Sequence, residues 1–389
     1  MISVEQALAL LKNNIPQKKE VQILLTEVHQ HILSKDVNSP INMPPFRQSA
    51  MDGFALHIYD SLTYKIIGEI KAGDAHKIEL KAGEAVRIFT GAAVPDSANA
   101  VMQIEKAAVK NDDLILTESV KESTNIRPIG EQIKVNEKAL LKGTKLNAAA
   151  IGFLAGLGIT TVSVYKKPTV GILITGNELV KPGNILKHGK IYESNAIMLQ
   201  TALTETGTKN INTYEVNDDF INTKNSIEKA IHENDILLIS GGISVGDYDF
   251  VKAALEELQV ETLFYKVNQK PGKPLFAGKI NDKLVFALPG NPAASLTCYY
   301  IYVQPLLKTL FGETEANKPI TQKKLTEELI VKNTRSQFLK AVFTDDEVTI
   351  STHQNSSMLN TFAVANCLVF VPEGDYHLAK NSKVDIYPI

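Results

Sequence analysis

Three apolar runs decide the fold: TVGILIT (Thr169–Thr175), DILLIS (Asp235–Ser240) and LVFALP (Leu284–Pro289). Each is apolar at nearly every position rather than at alternate ones, the mark of a strand buried on both faces. Each is followed by a glycine-bearing loop and then by helical spacing. After Thr175 a long loop leads to a helix with Ser194 or Asn195 near its cap and Gly207 past its end. A strand near Ile211 to Val216 and helices near Ile221 to Glu233 and Phe250 to Leu258 come next. A strand near Thr262 to Val267, a basic loop and a helix from Pro292 to about Leu310 complete the unit. Strand and helix alternating in this way predict a three-layer α/β domain around a mostly parallel sheet.

Outward from this unit the pattern changes. Ser3 and Gln6 form a capping box ahead of Val4, Ala7, Leu8 and Leu11, which predicts an opening amphipathic helix. Val21, Leu24, Leu25, Val28 and Ile32 repeat the spacing and predict a second, ended by Pro40, Pro44 and Pro45. From Phe54 to about Leu116 short β-rich runs alternate with Gly and Asp turns, as in a small β-domain. Ala148 to Leu157 reads as a helix open to close backbone approach. Beyond Glu313 short strands, among them Phe338 to Phe343 and Cys367 to Val371, predict a third, all-β core.

The 389 residues carry 41 Lys and Arg against 43 Asp and Glu, so no global basic field exists to hold nucleic acid or an acidic membrane. No run reaches the roughly 20 apolar residues that span a bilayer. The start MISVEQALALLKNN lacks a basic leader before an apolar core, and a cytoplasmic location is expected. Two cysteines, Cys298 and Cys367, are too few for a disulfide framework.

In an open parallel sheet the ligand crevice lies beyond the carboxyl ends of the strands. The loops there read TGNELVKPGN (Thr175–Asn184), SGGISVGDYD (Ser240–Asp249) and LPGNPAAS (Leu288–Ser295). Gly241, Gly242 and Gly246 allow close approach to an anion and Ser244 adds a hydroxyl, though an ordinary tight turn accounts for the same residues. Pro289, Gly290, Asn291 and Pro292 build a rigid helix entrance that serves structure or ligand equally. Glu178, Asp218, Asp219, Asp247 and Asp249 gather at these loop ends. If several converge they demand a hard cation such as Mg²⁺; as alternatives, Asp249 is a helix N-cap and Asp218 with Asp219 a plain loop. In KVNQKPGKP, Pro271 and Pro274 hold the loop that carries Lys266, Lys270 and Lys273; held lysines neutralise an oxyanion, whereas free ones are merely solvated.

PPFRQSAMDGFAL (Pro44–Leu56), RIFTGAAVP (Arg87–Pro95), ITGNEL, SGGISVGDYDF, KPGKPLFAG and LPGNPAAS occur in that order. Together they resemble the MoeA and gephyrin E-domain family, the molybdopterin molybdenumtransferases, over nearly the whole chain. The resemblance implies insertion of molybdate into adenylylated molybdopterin with release of AMP, Mg²⁺ being the usual metal. It implies an elongated homodimer of four domains: 1–44 plus 136–167 as an extended helical and linker domain for dimerisation, 45–135 as the β-domain with the MDGF motif, 168–314 as the α/β molybdopterin-binding domain, and 315–389 as a barrel-like β-domain. Asp52 and Thr90 then face the cleft from the partner subunit. Asp52, Glu178, Asp219 and Asp249 become the catalytic set, the last three the metal carboxylates. Thr175, the loop glycines, Ser244, Lys266, Lys270, Lys273, Pro289 to Pro292, Arg335 and Ser356 become substrate contacts. Three positions depart from the family pattern: Asn177 where an acid is frequent, Asn355 where glycine is common, and Lys340 where arginine is usual. A molybdopterin adenylyltransferase is an alternative, but that activity belongs to lone α/β domains. A non-catalytic dimeric scaffold is the other. An adenylyltransferase and recipient molybdoenzymes are the implied partners.

Overall fold

The computed structural model describes residues 1–75, 77–243, 250–314 and 321–389, so Ser244, Gly246, Asp247 and Asp249 lie outside the described residues. Contacts divide the chain into two compact units, residues 1–21 with 165–389 and residues 22–164.

In the first unit a six-stranded sheet runs in the order Ile211–Val216, Val170–Thr175, Ile236–Ser240, Lys283–Leu288, Phe276–Ile280, Glu261–Tyr265. The first four strands are parallel, and Phe276–Ile280 alone runs against the others, pairing antiparallel with Lys283–Leu288 on one side and Glu261–Tyr265 on the other. Side chains alternate across it. Val170, Ile172 and Ile174 join the core containing the helices Asn195–Thr206 and Pro292–Cys298. Leu173 joins the opposite core with the helices Phe220–Glu233 and Phe250–Glu257. This period of two, with both faces covered, is why the strands are apolar throughout. The expected basic loop before Leu284 contains the strand Phe276–Ile280, which turns back through Asn281 and Asp282 to pair with Lys283–Leu288. The opening helix, Val4–Asn13, forms with its capping box and buries Val4, Ala7 and Leu11 in the first core.

Five strands, Thr321–Leu325, Ser336–Phe343, Glu347–Ile350, Cys367–Val371 and Lys383–Pro388, close into a barrel. Leu339, Ala341, Val369 and Ile386 fill it. The short strand Gln269–Lys270 pairs in parallel beside Ser336 and Gln337, so the lysine loop is anchored on a barrel strand.

The second unit holds a six-stranded sheet ordered Ala100–Gln103, Gly53–Leu56, Glu84–Ile88, Thr63–Ile70, Asp113–Leu116, Ala107–Lys110. The helix expected over Val21 to Ile32 does not form: Glu20–Leu24 is a strand whose exposure alternates, followed by turns. Val21 and Ile23 are β-branched, and Leu25, Val28 and Ile32 reach their core from turns and a bridge to Lys145. The expected helix near Ala148 does form, over Ala148–Gly156, capped by the Asn147 side chain. Among the described residues no helix is long and apolar enough to cross a membrane.

Candidate active site at the sheet edge

Because parallel strands end together, the loops after Thr175, Ser240 and Leu288 meet at one edge. They enclose a cavity of about 460 Å³ lined by Thr175, Glu178, Asp218, Gly241, Gly242 and Pro292, among others. Gly241 has φ +92° and a Cβ there would lie 2.4 Å from the Thr175 carbonyl oxygen. At Gly242, φ +64°, it would strike Val251 at 2.5 Å. Only glycine fits either position.

Asn195 ties the three loops. Its side chain is 8% exposed, and Nδ2 donates to Ser240 Oγ and to the Gly290 carbonyl, both at 2.8 Å. Sequence reasoning gave Asn195 a cap position only; its cross-loop role depends on two residues 45 and 95 positions away.

The acidic residues divide their tasks. Asp218 lines the cavity, accepts from Thr175 Oγ1 at 2.5 Å and from the Asn177 backbone N–H at 3.0 Å, while Asn177 Oδ1 accepts from the Asp218 N–H at 3.2 Å. An acid at position 177 would set a second charge against Asp218, so the asparagine there makes a reciprocal pair instead. Asp219, by contrast, does not line the cavity and caps Phe220–Glu233 through Oδ1, which accepts from Asn222 N–H at 2.9 Å. Glu178 lines the cavity with no hydrogen-bond partner for its carboxylate among the described residues. Among those residues no group of three acidic, His or Cys side chains has metal-holding geometry.

A second compartment, about 580 Å³, shares Pro274, Pro289 and Asn291 with the first and adds Lys270, Lys273, Arg335 and Ser356. The two are therefore one groove. Asn291 Nδ2 donates to Ser356 Oγ at 3.2 Å across it. Pro292 begins the helix Pro292–Cys298 and Asn291 before it is extended. Lys266 stands apart from both linings, its ammonium 4.7 Å over the Tyr265 ring. Lys340 is buried and donates to the Asn355 carbonyl at 3.3 Å and the Met358 carbonyl at 3.0 Å. Burial pulls its pKa down. This lysine holds the backbone of the loop that carries Ser356, which joins two of the three departures, Lys340 and Asn355, in one contact.

In the second unit Thr90 donates its backbone N–H and its hydroxyl to Asp52 Oδ1, both at 2.7 Å. These two bonds, the backbone one foremost, hold the Asp52 carboxyl below its ordinary range.

Residues 2–158 match the MoeA N-terminal region (domain I and II), 171–309 a family described as "Probable molybdopterin binding domain", and 322–389 the MoeA C-terminal region (domain IV). The chain is 32% identical over 399 residues to a molybdopterin molybdenumtransferase of Haemophilus influenzae, covering 100% of this chain and 98% of the relative. It is 32% identical over 400 residues to one of Staphylococcus epidermidis, covering 99% and 95%. Among solved structures it is similar to a molybdopterin biosynthesis MoeA protein from Pyrococcus horikosii, with TM-score 0.85, 30% identity and coverage of 100% and 99%.

The Asp52 contact has a measurable consequence. A carboxyl whose folded pKa is depressed adds stability above its unfolded pKa and loses it as pH falls through the folded value. Carboxyl-detected NMR should place Asp52 below the ordinary Asp value of about 3.9, and Thr90→Val should move it up. An Asp52 that titrates normally in the parent chain would refute the contact.

Proposed function

The chain belongs to the MoeA family of molybdopterin molybdenumtransferases, and from that premise we propose how its groove divides the work of molybdate insertion. The protein is a transferase of molybdenum cofactor biosynthesis. Adenylylated molybdopterin lies in the compartment of the glycine loops, and molybdate in the adjoining one between Lys270, Lys273, Arg335 and Ser356. The observation that carries this is the continuity of the two compartments through Pro274, Pro289 and Asn291, one with backbone and carboxylates and the other with cations. A dianion gains most from cations fixed beside one another at a partly enclosed wall. Asn195 and Pro292 keep the first compartment's shape, and Asn291 spans to the second. The adenylyltransferase reading is not favoured, since relatives matching at full length are transferases of molybdenum.

Glu178 is the carboxylate of the cavity wall that would hold Mg²⁺, and the ion would neutralise phosphate oxygens where the pyrophosphate is cleaved. AMP is the expected leaving product. Both cysteines are buried thiols, which suits the reducing cytoplasm where we place the reaction. The enzyme that adenylylates molybdopterin and the apo-forms of molybdoenzymes are the partners this chemistry requires.

Release of AMP from adenylylated molybdopterin, followed against molybdate and Mg²⁺, tests the assignment. Lys270→Gln or Lys273→Gln should raise half-saturating molybdate roughly tenfold and be rescued by excess. Glu178→Gln should instead raise the Mg²⁺ requirement. Asp219→Ala should also cost about 1 kcal/mol of stability through loss of the cap. Lysine variants that weaken molybdopterin and molybdate equally would move the oxyanion elsewhere.

A homodimer is the assembly we propose, supported by the helix Ala148–Gly156. It is apolar along its length, yet only Leu154 is buried, and Ala148, Ala149, Gly152, Ala155 and Gly156 are exposed. Such a face of small residues suits a second copy at close range. Gly152→Glu should yield monomers by sedimentation with unchanged circular dichroism. Dimers that persist in this variant, or a monomeric parent chain, would contradict it.

A further inference from the structure

We propose that Gln269 is a positioning residue for the oxyanion compartment: a buried amide, oriented by Tyr302, that clamps the backbone of the lysine loop and thereby fixes Lys270 and Lys273. The inference rests on the reading that those two lysines hold molybdate.

Gln269 is 0% exposed, unusual for a residue beside two exposed lysines in a loop. Its Nε2 donates to the Pro271 carbonyl at 3.0 Å and to the Gly272 carbonyl at 3.4 Å. Its Oε1 accepts from the Tyr302 hydroxyl. Carbonyls only accept, so the amide has one orientation: turned over, it would set oxygen against oxygen twice. Tyr302 is itself 1% exposed and stands in a π-helical turn, Tyr299–Val303, that interrupts the helix running from Pro292 to Leu310. Turns of this kind re-aim a side chain from within a helix.

The loop rests directly on this strut. Gly272 has φ +89°, and a Cβ there would come within 2.8 Å of Gln269 Nε2 and 2.5 Å of Cys298 Sγ. Outside the strut, the pairing of Gln269 with Ser336 and Lys270 with Gln337 ties the same residues to the barrel strand next to Arg335. Lysines on a free loop would lose rotational freedom on each binding event, whereas lysines on a clamped backbone have lost part of it beforehand. Gln269 borders the compartment, but it is fully buried and its amide is engaged by the loop carbonyls and Tyr302, so it acts through the lysines.

The test is AMP release by the full chain against molybdate concentration in Gln269→Met, Tyr302→Phe and their combination, with Lys270→Gln alongside. Gln269→Met keeps the volume and removes both donors; Tyr302→Phe removes one hydroxyl. Half-saturating molybdate should rise roughly five- to tenfold in Gln269→Met and less in Tyr302→Phe. The rate at saturating molybdate and the affinity for molybdopterin should stay near the parent values. The double variant should be no worse than Gln269→Met alone, because the hydroxyl acts only through the amide. If Lys270→Gln shifts the molybdate dependence while Gln269→Met and Tyr302→Phe do not, the strut is refuted and the lysine assignment stands. If Lys270→Gln shifts nothing, both fall together. Should Gln269→Met fail to fold, Tyr302→Phe alone decides between these outcomes.

Discussion

Parallel strands buried on both faces must release their chain at a common edge, and every functional feature of the first unit depends on this. Val170–Thr175, Ile236–Ser240 and Lys283–Leu288 run side by side, so their three following loops have nowhere else to go. The sheet brings the loops together but does not determine their spacing. That falls to a buried amide, Asn195, which reaches the end of one strand at Ser240 and the loop after another at Gly290. Glycines at 241 and 242 then let the backbone pass within contact of Thr175 and Val251.

A second buried amide, Gln269, does the corresponding work on the cationic side. The chain has almost no net charge, 41 basic against 43 acidic residues, so affinity for an anion has to be local. Here it is local because the short strand Gln269–Lys270 lies against the barrel strand beginning at Ser336, setting Lys270 and Arg335 on one wall. Acidic groups stay on the other side of Pro289 and Asn291, with Asp218 and Glu178. Opposite charges kept in adjoining compartments of one groove can each meet a different part of a substrate without neutralising each other.

Much of this was legible in the sequence where the signal is local. Runs such as DILLIS announce doubly buried strands, Ser3 with Gln6 announces a helix start, and the Gly and Pro loops mark the edge where ligands collect. Local signals also misled. Leu24, Leu25, Val28 and Ile32 have helical spacing, but their burial is met by a strand and turns. The strand Phe276–Ile280, broken in its apolar run by Gly278, reads as loop in the sequence, and what holds it is antiparallel pairing on both sides. At the site, nothing in Asp218-Asp219 says which carboxylate faces the cavity, because the choice depends on where the following helix begins and needs its cap. Gln269 and Lys340 were the least legible. A buried polar side chain is explained by its partners, and those partners, Tyr302 in one case and the carbonyls of Asn355 and Met358 in the other, are set by the tertiary fold.

The central claim is that the oxyanion is held by the wall of Lys270, Lys273, Arg335 and Ser356 beside the glycine-loop cavity. Crystals soaked in molybdate and measured at the molybdenum absorption edge locate the metal directly. The account predicts an anomalous peak within contact of Lys270 and Lys273 that disappears in Lys270→Gln. A peak confined to the glycine-loop cavity, or one at Lys270 that is indifferent to that substitution, would contradict it.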